Sequence, residues 1–144
     1  MRDFQQNKVY TWETQFPSGR IIEFDFIQGY VNYVWEDLGL KYPPKVRPIA
    51  KQTRKWAGKA NRYSVWLHET GSTEHTILHE LAHSLTIDID GNGAVHDEKF
   101  VGMFMVLLEK YMNVSIFHLW ASADKAGVKY EKFSKPRIVD EEGP

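Results

Sequence analysis

The sequence specifies an α+β fold in a single domain, 1–144. Apolar residues recur at helical spacing in segments towards both ends of the chain, and residues 62–68 alternate with period two. At 144 residues, with 42% hydrophobic and 26% charged side chains, the chain is long enough for one substantial core and too apolar for disorder.

Residues 8–13 are β-branched and aromatic, a composition that predicts a strand. Phe16, Pro17, Ser18 and Gly19 form a turn signal. Over residues 22–38, Phe26, Ile27, Tyr30, Val31, Val34, Trp35 and Leu38 repeat at helical spacing, and Gly39 is a stop for that helix. A short strand follows at 46–49, and Pro48 argues for an edge position. Residues 51–61 are basic and match no periodic template. Residues 62–68 place Tyr63, Val65 and Leu67 on one face and Ser64, Trp66 and His68 on the other. This second strand is expected at the edge of a cleft.

Gly71, Ser72 and Thr73 punctuate the chain. Ser72 or Thr73 is a good N-cap for a helix over 73–86, with Glu74 in its first turn and Ile77, Leu78, Leu81, Ala82 and Leu85 apolar. Residues 88–93 are rich in turn formers. A helix over 97–112 turns Phe100, Phe104, Leu107, Leu108 and Tyr111 inward, and a last helix over 115–126 ends at Gly127. The charged tail, 131–144, is expected to be mobile at its end.

Composition excludes several classes. There is no cysteine, hence no disulfide, thiolate metal site or cysteine nucleophile. No run of eighteen apolar residues exists, so no membrane span is expected. The polar N-terminus lacks a secretory pattern, and the cytoplasm is the simplest address. Net charge is −1, yet Lys41 to Arg62 holds eight basic residues and no acid. Such a block is either a solvated surface or a footprint for nucleic acid.

The chemistry-bearing motif is His79-Glu80-Leu81-Ala82-His83. Two histidines four apart share one helix face, so both imidazoles can reach one metal ion. Glu80 lies beside the first ligand, placed to take a proton from water without binding the ion. The pattern arises by chance about 2% of the time in a chain of this composition, so context has to carry it. A capped helix, a preceding strand able to hold an extended substrate and a later histidine supply that context. A catalytic zinc site needs three protein ligands and an open position. His96 is the leading third ligand, since twelve residues let the chain leave the helix, turn and return. Glu98, Asp97, Asp88 and Asp90 compete for the same role.

The run Leu78 to His83, followed by His96-Asp97-Glu98-Lys99-Phe100, resembles the SprT-like zinc metalloproteases, whose pattern is a HExxH helix and then His-Gly-x-x-Phe. It is also similar to a group of small metallohydrolases of about this length that share a Leu-rich helix, a short helix and Gly-Val, here Gly127-Val128. The resemblance covers about residues 62–130. It implies a zincin-like fold with a small mixed sheet against the active-site helix, Zn2+ held by His79, His83 and His96, Glu80 as catalytic base, and a peptide or protein substrate. Asp97 stands where the family has glycine, and no cysteine-based zinc ribbon follows.

Weaker signals remain. Asp88-Ile89-Asp90-Gly91-Asn92-Gly93 resembles the start of a calcium loop, but Lys99 occupies the position that needs a bidentate Glu. His75 reads as an exposed first-turn residue, and His118 as packing. Tyr111, Tyr130 and His68 are candidate donors to a developing oxyanion. Two alternatives to a zinc peptidase follow. One is a nucleic-acid-associated module using segment 41–62 with Trp56, Tyr63 and Trp66; the other is a regulatory zinc-binding domain without turnover.

Overall fold

A computed structural model describes residues 3–49, 57–87 and 95–144. Among them the order of elements is α1 (Gln6–Glu13), β1 (Ile21–Ile22), α2 (Phe24–Asp37), β2 (Lys45–Pro48), β3 (Gly58–Ala60), β4 (Ser64–Leu67), β5 (Ser72–Thr73), α3 (Glu74–Thr86), α4 (Glu98–Met112) and α5 (Ile116–Ala126). The fold is mixed α+β, and no helix of the described residues is long and apolar enough to cross a membrane.

Helix α3 is the centre of the molecule. The three-stranded sheet packs on one side of it and α4 on the other. Its Ile77, Leu78, Leu81, Ala82 and Leu85 are completely buried, as are Phe100, Met103, Phe104, Leu107 and Leu108 of α4. Each such Leu, Ile or Phe contributes about 1.5–3 kcal/mol relative to exposure. Thr73 caps α3, its side chain accepting from the Thr76 N–H, and β5 leads directly into the cap while pairing antiparallel with β1.

The sheet order is β2-β4-β3, with β2 parallel and β3 antiparallel to β4. Val65 and Leu67 are buried, whereas Trp66 is half-buried beneath Lys59 on the opposite face. Strand β2 lies at an edge, as Pro48 requires. Strand β4, expected at the edge of a cleft, is instead central, because residues 58–60 of the unassigned basic stretch pair along its outer side.

Residues 8–13 also differ from expectation: they belong to helix α1, not to a strand. Val9, Trp12 and Phe16 are the buried residues there, and their spacing of three and four is helical. Packing of that stripe on α5, with Trp12 Nε1 donating to Ser122 Oγ at 3.0 Å, overrides the β propensity of Val9, Tyr10 and Thr11.

The charged tail is laid back over the domain. The Glu131 N–H donates to the Glu98 carbonyl (3.1 Å) and the Arg137 N–H to the Leu85 carbonyl (2.7 Å). Asp140 then accepts from the main-chain N–H groups of Lys41 (2.8 Å) and Tyr42 (3.1 Å). A side chain at Gly102 would meet the Glu131 carbonyl at 2.5 Å, so this crossing requires glycine.

Candidate metal centre

The 3.6-residue period of α3 lines up His75, His79 and His83 on one stripe. Phe100 and Phe104, four apart on α4, form an aromatic floor beneath it. The Phe100 ring stacks on His83 (4.2 Å between centroids) and meets His79 and His96 edge-on at 5.0 and 4.9 Å. His96 arrives just ahead of α4. Asp97 ends that approach by capping the helix, its carboxylate accepting the Phe100 N–H at 3.0 Å. Asp97 is thus a helix cap.

His79, His83 and His96 are all buried, and their ligand atoms lie within 4.8 Å of one another. His96 Nε2 is 3.3 Å from His83 Nε2 and 3.4 Å from His79 Nε2. Nitrogens bound tetrahedrally at about 2.0–2.1 Å stand about 3.3–3.4 Å apart, so the spacing suits an ion of zinc's bond length.

Protonation points the same way. Glu13 Oε1 lies 3.0 Å from His79 Nδ1 and 2.9 Å from His75 Nε2. Burial would raise the Glu13 pKa, but these two hydrogen bonds and the histidine charges bring it down to about 2. An ionised carboxylate only accepts, so a proton is assigned to His79 Nδ1, which in the neutral ring leaves the lone pair on Nε2. Asp3 Oδ2 accepts both the main-chain N–H of His96 (3.1 Å) and its Nδ1–H (2.8 Å), with the same consequence. Burial and the neighbouring histidines hold the His83 pKa well below its ordinary value. Burial likewise lowers that of His96, against the opposing pull of Asp3. Burial acts downward on His79 too, but the hydrogen bond and charge of Glu13 and the charge of Glu80 prevail and raise it. In their neutral forms, with the Nδ1 protons of His79 and His96 held by carboxylates, the rings turn Nε2 towards a common point, so these three histidines are able to hold a metal ion.

Glu80 turns from the same helix into a cleft of about 340 Å³ lined by Tyr10, Thr14, Gly58, Thr76 and His79. Burial raises its pKa to about 7, with the His79 charge opposing and the Glu13 charge adding. Strand β3 runs against it: a Cβ on Gly58 would lie 2.9 Å from Glu80 Cγ.

Other expectations are redistributed. Glu98 is exposed and stands outside the histidine cluster, and Asp97 is used as a cap. Asp88 and Asp90, with the whole start of the calcium-like loop at 88–93, lie outside the described residues. His75, expected to be exposed, is mostly covered and holds Glu13. Tyr111 donates to Asp37 (2.7 Å) and Tyr130 to Asp124 (2.9 Å). Neither lines the cleft. Tyr10 does, its ring centroid 4.9 Å from that of His96. His118 is exposed and touches Phe16 edge-on at 5.7 Å.

The basic segment is divided. Lys51, Arg54, Lys55 and Trp56 lie outside the described residues. Arg62 is buried between Trp35 and Tyr63, donating to the Tyr42 and Val139 carbonyls. It staples the tail to the sheet, while Lys59 covers the Trp66 ring at 4.5 Å.

Compared with protein-family models, curated proteins and solved structures, the chain matches none.

Three residues of the centre escape sequence reasoning: Asp3, Tyr10 and Glu13. The helical spacing of Val9, Trp12 and Phe16 is the signal that would have turned Tyr10 and Glu13 towards the same region.

Proposed function

We propose that this chain is a zinc-dependent hydrolase acting on peptide bonds. The observation that carries the reading is His96 Nε2 lying 3.3 Å from that of His83 and 3.4 Å from that of His79, beside the buried carboxyl of Glu80. His79, His83 and His96 would hold the ion. When bound, zinc supplies Lewis acidity, polarising a carbonyl and acidifying water.

The rest is done by this chain's own groups. Glu80, as carboxylate, accepts a proton from the attacking water and returns it to the leaving nitrogen. Its burial favours the protonated form from which that proton is passed on. Tyr10 and the Phe100–Phe104 floor shield the ligand rings from bulk water. A peptide substrate is supported by β3. The Asn61 N–H to Ser64 carbonyl bond (2.9 Å) sets the hairpin alternation so that the main-chain groups of Gly58 and Ala60 face the outer edge. An extended chain could pair there, directly beside Glu80. The resemblance of His79–His83 and His96–Phe100 to SprT-like metalloproteases favours the same substrate class.

The test is Glu80→Gln on zinc-loaded protein, read by mass spectrometry of a degenerate peptide library. The expected result is retained zinc with cleavage reduced at least about 100-fold, the low end for loss of a general base. Cleavage at the wild-type rate would refute Glu80 as the base.

A further inference from the structure

Both carboxylates bonded to the histidine cluster come from the first thirteen residues of the chain. Asp3 reaches His96, 93 positions away, and Glu13 reaches His79, 66 positions away. Each meets Nδ1, the ring nitrogen that does not face the cluster. An imidazole protonated on Nε2 is no ligand, and a ring free to turn about its χ2 axis offers its lone pair only part of the time. A carboxylate on Nδ1 fixes tautomer and orientation together.

The carboxylates are themselves held. The Glu13 oxygen that meets His79, Oε1, is also bonded to His75 Nε2 (2.9 Å), and Asp3 Oδ2 also accepts the main-chain N–H of His96 (3.1 Å). Their segment is pinned to the last helix and the chain beyond it. Gln5 donates to the Lys129 carbonyl (3.0 Å) and accepts the Lys129 N–H (2.9 Å). Two carboxylates touching two of three neutral ligands also balance the charge of a dication in a buried site. His83 has no such partner among the described residues: its Nδ1 is buried and unbonded, and the ring is set by stacking on Phe100 and edge contacts with His79 and His96.

We infer that the N-terminal segment is a working part of the metal centre, with Asp3 and Glu13 as positioning residues that present His96 and His79 to a divalent cation. This rests on reading the three histidines as a metal site. It adds that affinity is set by residues outside the HExxH helix and its following histidine.

The experiment is the zinc dissociation constant of the full chain, measured by competition with a chromophoric chelator at neutral pH. Wild type is compared with Asp3→Ala, Asp3→Asn, Glu13→Ala and Glu13→Gln, and the circular dichroism of each metal-free protein is recorded. Each alanine variant is expected to bind zinc about 10–100-fold more weakly. The amide variants, whose carbonyl oxygen still accepts from Nδ1, should recover part of that loss, a rescue that mere damage to the fold would not give. Alanine variants within about twofold of wild type would overturn the inference. So would amide variants as weak as the alanine ones. If Glu13→Ala fails to fold, the Asp3 pair decides. A wild type that takes up no zinc overturns this inference and the proposed function together, whereas failure in the variants alone leaves the proposed function standing.

Discussion

Gly58→Ala probes the contact between the sheet edge and the candidate base. A methyl group at Gly58 would sit 2.9 Å from Glu80 Cγ, 3.0 Å from Glu80 Oε2 and 3.1 Å from Leu67 Cδ2. Carbon atoms pack best at about 3.5–4.0 Å, so the neighbours must retreat by about 0.5–1 Å. Leu67 is completely buried and has nowhere to go. Glu80 borders the cleft and is the group that moves. Overpacking of this size costs about 1–3 kcal/mol, offset by about 0.4–1 kcal/mol from the stiffer unfolded chain. The net loss, up to about 2.6 kcal/mol and centred near ~1.3 kcal/mol, at about 3–4 °C per kcal/mol for a chain of this length, lowers Tm by about 4–5 °C and at most about 10 °C. Thermal melts followed by circular dichroism give the stability, and metal analysis should show zinc binding unchanged because no ligand is touched. A Tm at or above wild type would refute the packing argument.

Two further outcomes are expected. Burial pushes the Glu74 pKa up, but the Arg20 N–H and guanidinium and the Tyr30 hydroxyl together hold it below its ordinary 4.5. The folded state therefore binds this proton less tightly than the unfolded state. Its stabilisation is complete above about pH 4.5 and is lost as pH falls through the folded value; Glu74→Gln should flatten that acid limb in urea unfolding, and parallel curves would contradict it. Arg62→Ala strips the donors from the Tyr42 and Val139 carbonyls and leaves Asp140 without its guanidinium. It should cost about 1.5–3 kcal/mol and free the tail to proteolysis, and an unchanged urea midpoint would show the staple to be idle.

Much of the architecture is local and therefore legible. Helix α3 is announced by Thr73 and its apolar stripe, α4 by Phe100, Phe104, Leu107 and Leu108, and the end of α5 by Gly127, which adopts φ +72°. The histidine spacing on α3 and the return of the chain at His96 depend on short segments, and the structure places those three side chains together. What was not legible depends on distant contacts. Residues 8–13 carry strand-forming side chains and become helix only because Val9 and Trp12 find the core. Gly58, Lys59 and Ala60 carry no alternation, since small residues are needed where β3 crosses Glu80 and Lys59 covers Trp66 on the other face. Asp3 and Glu13 have no motif; their role exists only once the N-terminal segment lies across a helix some 60 residues later in the sequence. His75 reads as exposed because its partner, Glu13, belongs to that same segment.

The most direct measurement is zinc content and affinity of the wild-type chain beside His96→Ala, at matched concentration after metal removal and reloading. A three-histidine centre requires one tightly held zinc per wild-type chain and its loss or marked weakening in His96→Ala. Equal binding in the two proteins, or none in the wild type after zinc is supplied, would contradict it.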